Sequence, residues 1–124
     1  MNVTVLVVDD SATVRQQVAT ALSQAGFQVV EASDGSQGLN RAKQGGIDCV
    51  ISDVNMPLMN GIEMVTLIKQ DPSLSSTPVV MLTTEGSKEL IAKAKQAGAS
   101  GWIVKPFKAE MLVAAVRKLT SVPV

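Results

Sequence analysis

The chain has no histidine and no tyrosine. Imidazole acid–base catalysis, histidine metal sites and a Ser–His triad are therefore excluded. Its single cysteine, Cys49, allows no internal disulfide and fits a reducing, cytoplasmic setting. Cys49 lies in the apolar run Cys49-Val50-Ile51, where a buried structural thiol is favoured over a reactive one. Aromatics are scarce, two Phe and one Trp in 124 residues, so a core must be built from Val, Leu, Ile, Ala and Met. Neither sign of charge is in excess, with 11 Lys and Arg against 11 Asp and Glu, so nothing argues for nucleic acid or an anionic lipid surface. No apolar stretch is long enough to cross a bilayer. The start, "MNVTVLVVDD", lacks the basic region and cleavage site of a secretory signal. Internal repeats, low-complexity tracts and linkers are absent too.

What remains is an alternation of short apolar runs and helical periods. Val3–Val8, "FQVVEA", "DCVIS", Pro78–Thr83 and "GWIVK" read as strands. Each is followed by a helical pattern. Val14, Val18, Ala21, Leu22 and Ala25 share a face in the first, and Leu39 and Ala42 point inward in the second. Ile62, Val65 and Ile68 mark the third, Leu90, Ala94 and Ala97 the fourth, and Leu112, Ala115, Val116 and Leu119 the fifth. Glycines at 26, 45, 46 and 98 stop three of them, and Asp71-Pro72 stops another. Five βα units predict an α/β fold with a parallel sheet covered by helices on both faces. Strands that are continuously apolar agree, because such strands are buried on both sides. The length suits one domain over residues 1–124, with the last helix running almost to Val124 and no output domain expected.

Open α/β sheets bind ligands outside the C-terminal ends of their strands. The first strand ends at Asp9-Asp10, the third at Asp53, the fourth at Thr83-Thr84 and the fifth at Lys105-Pro106. Each residue has a plain alternative. Asp9, Asp10 or Ser11 can cap a helix, Thr83 or Thr84 can start one, and Lys105 can be a solvated lysine. Asp53 is harder to dismiss, because Pro57 disfavours helical geometry at Met56 and leaves only a turn. The case for a site is the coincidence of complementary charges at four strand ends. If strands one and three are neighbours, three carboxylates share one pocket. They cannot all stay ionised without counter-charge. Lys105 offsets one charge and a divalent cation offsets two more. All-oxygen ligands suit Mg2+, or Mn2+ in its place, rather than zinc. A cation, a lysine and a hydroxyl together suit a phosphoryl group, with a carboxylate as nucleophile.

The segments "VVDDS", "SDVNMPLMNG", "MLTTE" and "GASGWIVKPF" resemble, in this order and spacing, the receiver domains of two-component response regulators, most closely the stand-alone chemotaxis regulators of the CheY type. The resemblance spans essentially the whole chain. It implies a single doubly wound (βα)5 flavodoxin-like domain whose parallel five-stranded sheet has the order 2-1-3-4-5, and that order is taken from the resemblance alone. It further implies that Asp53 is the phospho-acceptor. Asp10 would bind Mg2+ directly and Asp9 through water, and the Asn55 backbone carbonyl would be a further ligand. Thr83 would be the switch hydroxyl and Lys105 the phosphate counter-ion. The Lys105–Pro106 peptide is expected to be cis. Trp102 stands where the family carries its rotating aromatic, more often Tyr, Phe or His; its plain reading is a half-buried strand residue. Asn55 and Glu85 would flank the path of the hydrolytic water. Asn60-Gly61 replaces the commoner Asp-Gly and reads as a turn and helix start without consequence for chemistry. Met56, Met59 and Met64 read as packing.

The implied function is a phosphorylation-dependent switch that takes a phosphoryl group from a histidine kinase, in chemotaxis, and changes the face formed by helix four, strand five and helix five. The expected partners are a chemotaxis-type kinase and an output protein such as a flagellar motor switch, with the chain a monomer. The alternative is a phosphate sink or shuttle in another phosphorelay. Three other classes fit less well. A haloacid-dehalogenase-type phosphatase needs a second Asp where Asn55 stands. A flavodoxin needs a neutral phosphate loop where Asp9-Asp10 stand. A receiver fold that no longer phosphorylates would have no reason to keep Asp9, Asp10, Asp53, Thr83 and Lys105 together.

Overall fold

In a computed structural model, residues 3–56, 59–84 and 86–120 are described. The element order is β1 (Thr4–Val8), α1 (Ala12–Gln24), β2 (Gln28–Ala32), α2 (Gly35–Lys43), β3 (Cys49–Ser52), α3 (Gly61–Gln70), β4 (Val79–Thr83), α4 (Lys88–Ala97), β5 (Gly101–Val104) and α5 (Ala109–Thr120). The five strands form one sheet of order β2-β1-β3-β4-β5, and every pairing is parallel. The expected fold class and strand order are both present.

The layering follows from handedness. A right-handed crossover from β1 to β2 puts α1 on one face. The chain then reverses direction across the sheet, so α2, α3 and α4 fall on the opposite face and α5 returns to that of α1. Side-chain alternation along the strands fills both layers. Val5 and Val7 face α1 and α5, where they meet Val18, Leu22, Leu112 and Val116. Leu6 and Val8 face the other way, among Leu39, Met64, Val65 and Ile68. β1, β3 and β4 are buried along nearly their whole length, whereas the edge strands β2 and β5 are only partly covered. Each fully buried aliphatic side chain is worth roughly 1.5–3 kcal/mol, so two such layers suffice with few aromatics, Phe27 among them.

The helices start where local chemistry permits. Ser11 caps α1 by accepting from the Val14 N–H, and Asp34 caps α2 by accepting from that of Gln37. Asn60 and Glu63 form a reciprocal capping box on α3. Ser87 caps α4. α4 is the least embedded helix, with Ala94 its one buried residue.

Candidate functional site

Register delivers the strand ends to one rim. Val8 pairs with Ser52 and Ser52 with Met81, so the residues that follow β1 and β3 emerge side by side, next to the end of β4. The Asp53 N–H still donates to the Val8 carbonyl at 2.9 Å, and the Lys105 N–H to that of Thr83 at 2.7 Å. The Lys105–Pro106 peptide that closes this rim is cis.

Carboxylate oxygens of Asp9, Asp10 and Asp53 lie within 4.8 Å of one another. Their environments differ. Asp9 is buried at 2 % exposure, Asp53 is half-buried and Asp10 is exposed. The Asp9 carboxylate accepts from the Ser11 N–H at 2.9 Å and from the Lys105 ammonium at 2.9 Å. Asp53 Oδ1 accepts from the Val54 N–H at 2.7 Å, and Asp53 Oδ2 stands 3.5 Å from Lys105 Nζ. Lys105 therefore bridges two of the three carboxylates and leaves the cluster with an excess of negative charge. Burial pushes the Asp53 carboxyl above the usual range. The Lys105 charge pulls it back, and the neighbouring Asp9 charge adds to the rise.

An all-oxygen set of three close carboxylates, with no imidazole or thiolate nearby, fits a hard divalent cation. The one thiol, Cys49, is at the far end of β3, fully buried, with its pKa pushed up by burial to about 12. Thr83 is buried at the end of β4, and Asn55 is exposed in the loop after β3. Pro57 and Glu85 lie outside the described residues.

Residues 5–117 match the response regulator receiver domain family. The chain belongs to that family. Over 112 residues it is 44% identical to chemotaxis protein CheY-3 of Vibrio cholerae, covering 90% of this chain and 86% of that protein. It is 37% identical over 116 residues to chemotaxis protein CheY of Pseudomonas aeruginosa, covering 93% of this chain and 94% of that one. The fold superposes on the chemotaxis protein CheY4 of Vibrio cholerae with a TM-score of 0.91 at 42% identity, covering 96% of this chain and 99% of that one. This receiver is thus a signalling domain of the CheY-like response regulators.

Three features of the receiver site were not anticipated from the sequence. Gly61 is more than a turn residue. Its N–H donates to the Val54 carbonyl at 2.9 Å, and a Cβ there would run into the Asp53 carbonyl oxygen and lie 2.7 Å from Met81 Cε. The first turn of α3 thus presses on the backbone that carries Asp53. Trp102 is half-buried as expected, against the α3 and α4 layer, but its Nε1 is a buried donor with no hydrogen-bond partner among the described residues. Arg15 reaches from α1 to the Asp9 carbonyl, with Nη1 at 2.6 Å. The glycine was visible in the motif, but its contact was not; the half-burial of Trp102 was expected, but not its orphaned donor; Arg15 carries no local signal at all.

Proposed function

We propose that this receiver takes a phosphoryl group onto Asp53 from the phosphohistidine of a chemotaxis-type histidine kinase, or from a small donor such as acetyl phosphate. The observation that supports this most is the half-buried Asp53 carboxylate beside Lys105 and the Asp9–Asp10 pair. An oxygen of Asp53 attacks phosphorus. The P–N bond to the donor imidazole breaks, its electron pair returns to nitrogen, and an acyl phosphate forms. Asp9, Asp10, Asp53 and the Asn55 carbonyl would hold Mg2+ or Mn2+. When bound, that ion would neutralise charge on the phosphoryl oxygens. Lys105 leaves its bridge to the carboxylates and pairs with one phosphoryl oxygen, and the Thr83 hydroxyl takes another. Water attacking phosphorus in line releases phosphate and restores Asp53, with Asn55 beside its path.

The output follows from the new charge. Thr83 moves toward the phosphoryl group and draws the segment before α4 with it. Populations shift at the face of α4, β5 and α5, with Trp102 beneath α4 following that shift. That face fits a partner. Val104 and Met111 are large apolar residues exposed at 44% and 58%, and α4 is shallowly embedded. From Gly86 onward the chain has seven Lys and Arg against two Asp and Glu, although the whole is neutral. A partner segment with apolar anchors among acidic residues is the complement, and a flagellar motor switch protein is the output partner we propose.

Intact mass after incubation with acetyl phosphate and Mg2+ tests the acceptor. The wild type gains one phosphoryl group and Asp53→Asn gains none. Gain by Asp53→Asn at the wild-type rate would falsify the assignment. A pull-down with and without beryllofluoride then separates the switch from a phosphate sink, which would capture nothing more in the activated form.

A further inference from the structure

We propose that Arg15 is a positioning residue for the cation seat, setting the peptide plane between Asp9 and Asp10. The inference rests on the reading that Asp9, Asp10 and Asp53 hold a divalent cation. Asp9 ends β1, and its N–H is still tied to the sheet through the Ala32 carbonyl at 3.1 Å. Its own carbonyl lies past the ladder and is taken by Arg15 Nη1 at 2.6 Å. The backbone of Asp9 is therefore gripped from β2 on one side and from α1 on the other. Its carboxylate is equally constrained, by the Ser11 N–H and by Lys105. Among the described residues Asp10 has no such grip of its own, and it is exposed. The orientation of the Asp9–Asp10 peptide decides where the Asp10 carboxylate points relative to those of Asp9 and Asp53. Arg15 is the side chain that holds that peptide from α1.

The second bond of Arg15 explains why a guanidinium stands here. Nε donates to Glu31 Oε1 at 3.3 Å on β2. The fork joins α1, the end of β1 and β2, which an ammonium cannot do with fixed geometry. Glu31 also balances the Arg15 charge. The guanidinium therefore orients the acidic cluster without contributing a second free positive charge against an incoming cation. A half-exposed ion pair of this kind adds little to stability. Orientation is the larger effect, and loss of residues that orient metal ligands typically weakens metal binding by about 10–100-fold.

The test is titration calorimetry of the full chain with Mg2+ for the wild type, Arg15→Gln, Arg15→Lys and Glu31→Gln, with thermal unfolding in parallel. Arg15→Gln should weaken Mg2+ binding by about tenfold. Arg15→Lys, which keeps one N–H for the Asp9 carbonyl, should fall between it and the wild type. Glu31→Gln should weaken binding by a smaller factor that persists near about 0.5 M KCl, where the bare charge of exposed Glu31 is screened. A purely structural Arg15 would lower the unfolding temperature and leave the Kd of the folded protein unchanged, and that overturns the proposal. So does tighter binding by Arg15→Gln, which would mean that its charge outweighs its grip. If Arg15→Gln does not fold, Glu31→Gln decides, and weakening that vanishes in salt counts against the idea. A wild type that binds no Mg2+ removes the cation-seat reading itself and this proposal with it. A wild type that binds, with variants that match it, removes the proposal alone.

Discussion

Gly61→Ala should damage both stability and the site, because the added methyl has nowhere to go. Gly61 opens α3, and its Cβ would overlap the Asp53 carbonyl oxygen, lie 3.1 Å from the Asp53 carbonyl carbon and 2.7 Å from Met81 Cε. Met81 is a flexible side chain and can yield. The Asp53 carbonyl is backbone at the end of a central strand and cannot, so α3 must back away from β3. Overpacking of this kind costs about 1–3 kcal/mol. Replacing Gly by Ala returns up to about 1 kcal/mol through helix propensity and a less flexible unfolded chain. The net loss is up to about 2 kcal/mol, or as much as roughly 10 °C in Tm for a chain of this length. Gly101→Ala is the internal control. A Cβ at Gly101 meets Val80 at 3.6 Å, an ordinary contact, so only the favourable term remains. The two variants should move in opposite directions in urea and thermal unfolding. Phosphorylation of Gly61→Ala by acetyl phosphate should slow at least about tenfold at a temperature where it is folded, since misplacement of a reacting group by about 1 Å can cost about a hundredfold. A Gly61→Ala protein as stable as Gly101→Ala, or one phosphorylated at the wild-type rate, would refute the packing argument.

Other perturbations follow from the buried charges. The Cys49 thiol has its pKa raised from 9.0 to about 12, so above pH 9.0 the unfolded chain releases a proton that the folded chain keeps. Stability should fall with rising pH between those values, by about 1.4 kcal/mol per pH unit from this group, and urea titrations of Cys49→Ala should lack that slope. Asp53 also has a raised pKa, so its contribution to stability is present below the unfolded value of 3.8 and lost as pH rises through its folded pKa. Without metal, Asp53→Asn should therefore be more stable than the wild type at neutral pH, and the gap should close as the solution is acidified; a gap that widens in acid would contradict the sign. Lys105→Met leaves the carboxylate cluster without its bridging cation. That variant should be less stable than the wild type without metal, recover on adding Mg2+, and bind the ion more tightly, the opposite of Arg15→Gln; calorimetry that finds weaker binding would show that Lys105 does not compete for the seat.

The parts of this receiver that were legible in the sequence are those whose cause is local. Strands end where an apolar run meets a polar residue, so Asp9, Asp10, Asp53, Thr83 and Lys105 can be gathered as strand-end groups from the sequence alone. Capping was less legible. Ser11, one of the three candidates, caps α1 and leaves both aspartates free of that role, whereas Ser87 caps α4 rather than Thr83 or Thr84. The reason is not local: Thr83 is held in the sheet by pairing with Val104, so the chain must run on before it can turn. The contrast between Asp9 and Asp10 has the same origin. Two adjacent aspartates are equivalent in composition, yet one is buried against Lys105, 96 positions later, and the other faces solvent. Gly61 sharpens the point, since a turn needs only a permissive residue, whereas α3 pressing on the Asp53 backbone needs the absence of a side chain. Periodicity and charge can therefore say which groups a site contains. How they face one another is set by register between segments far apart in the chain. That is why the orientation of Asp10, and the dependence of that orientation on Arg15, is the part of the site most open to experiment.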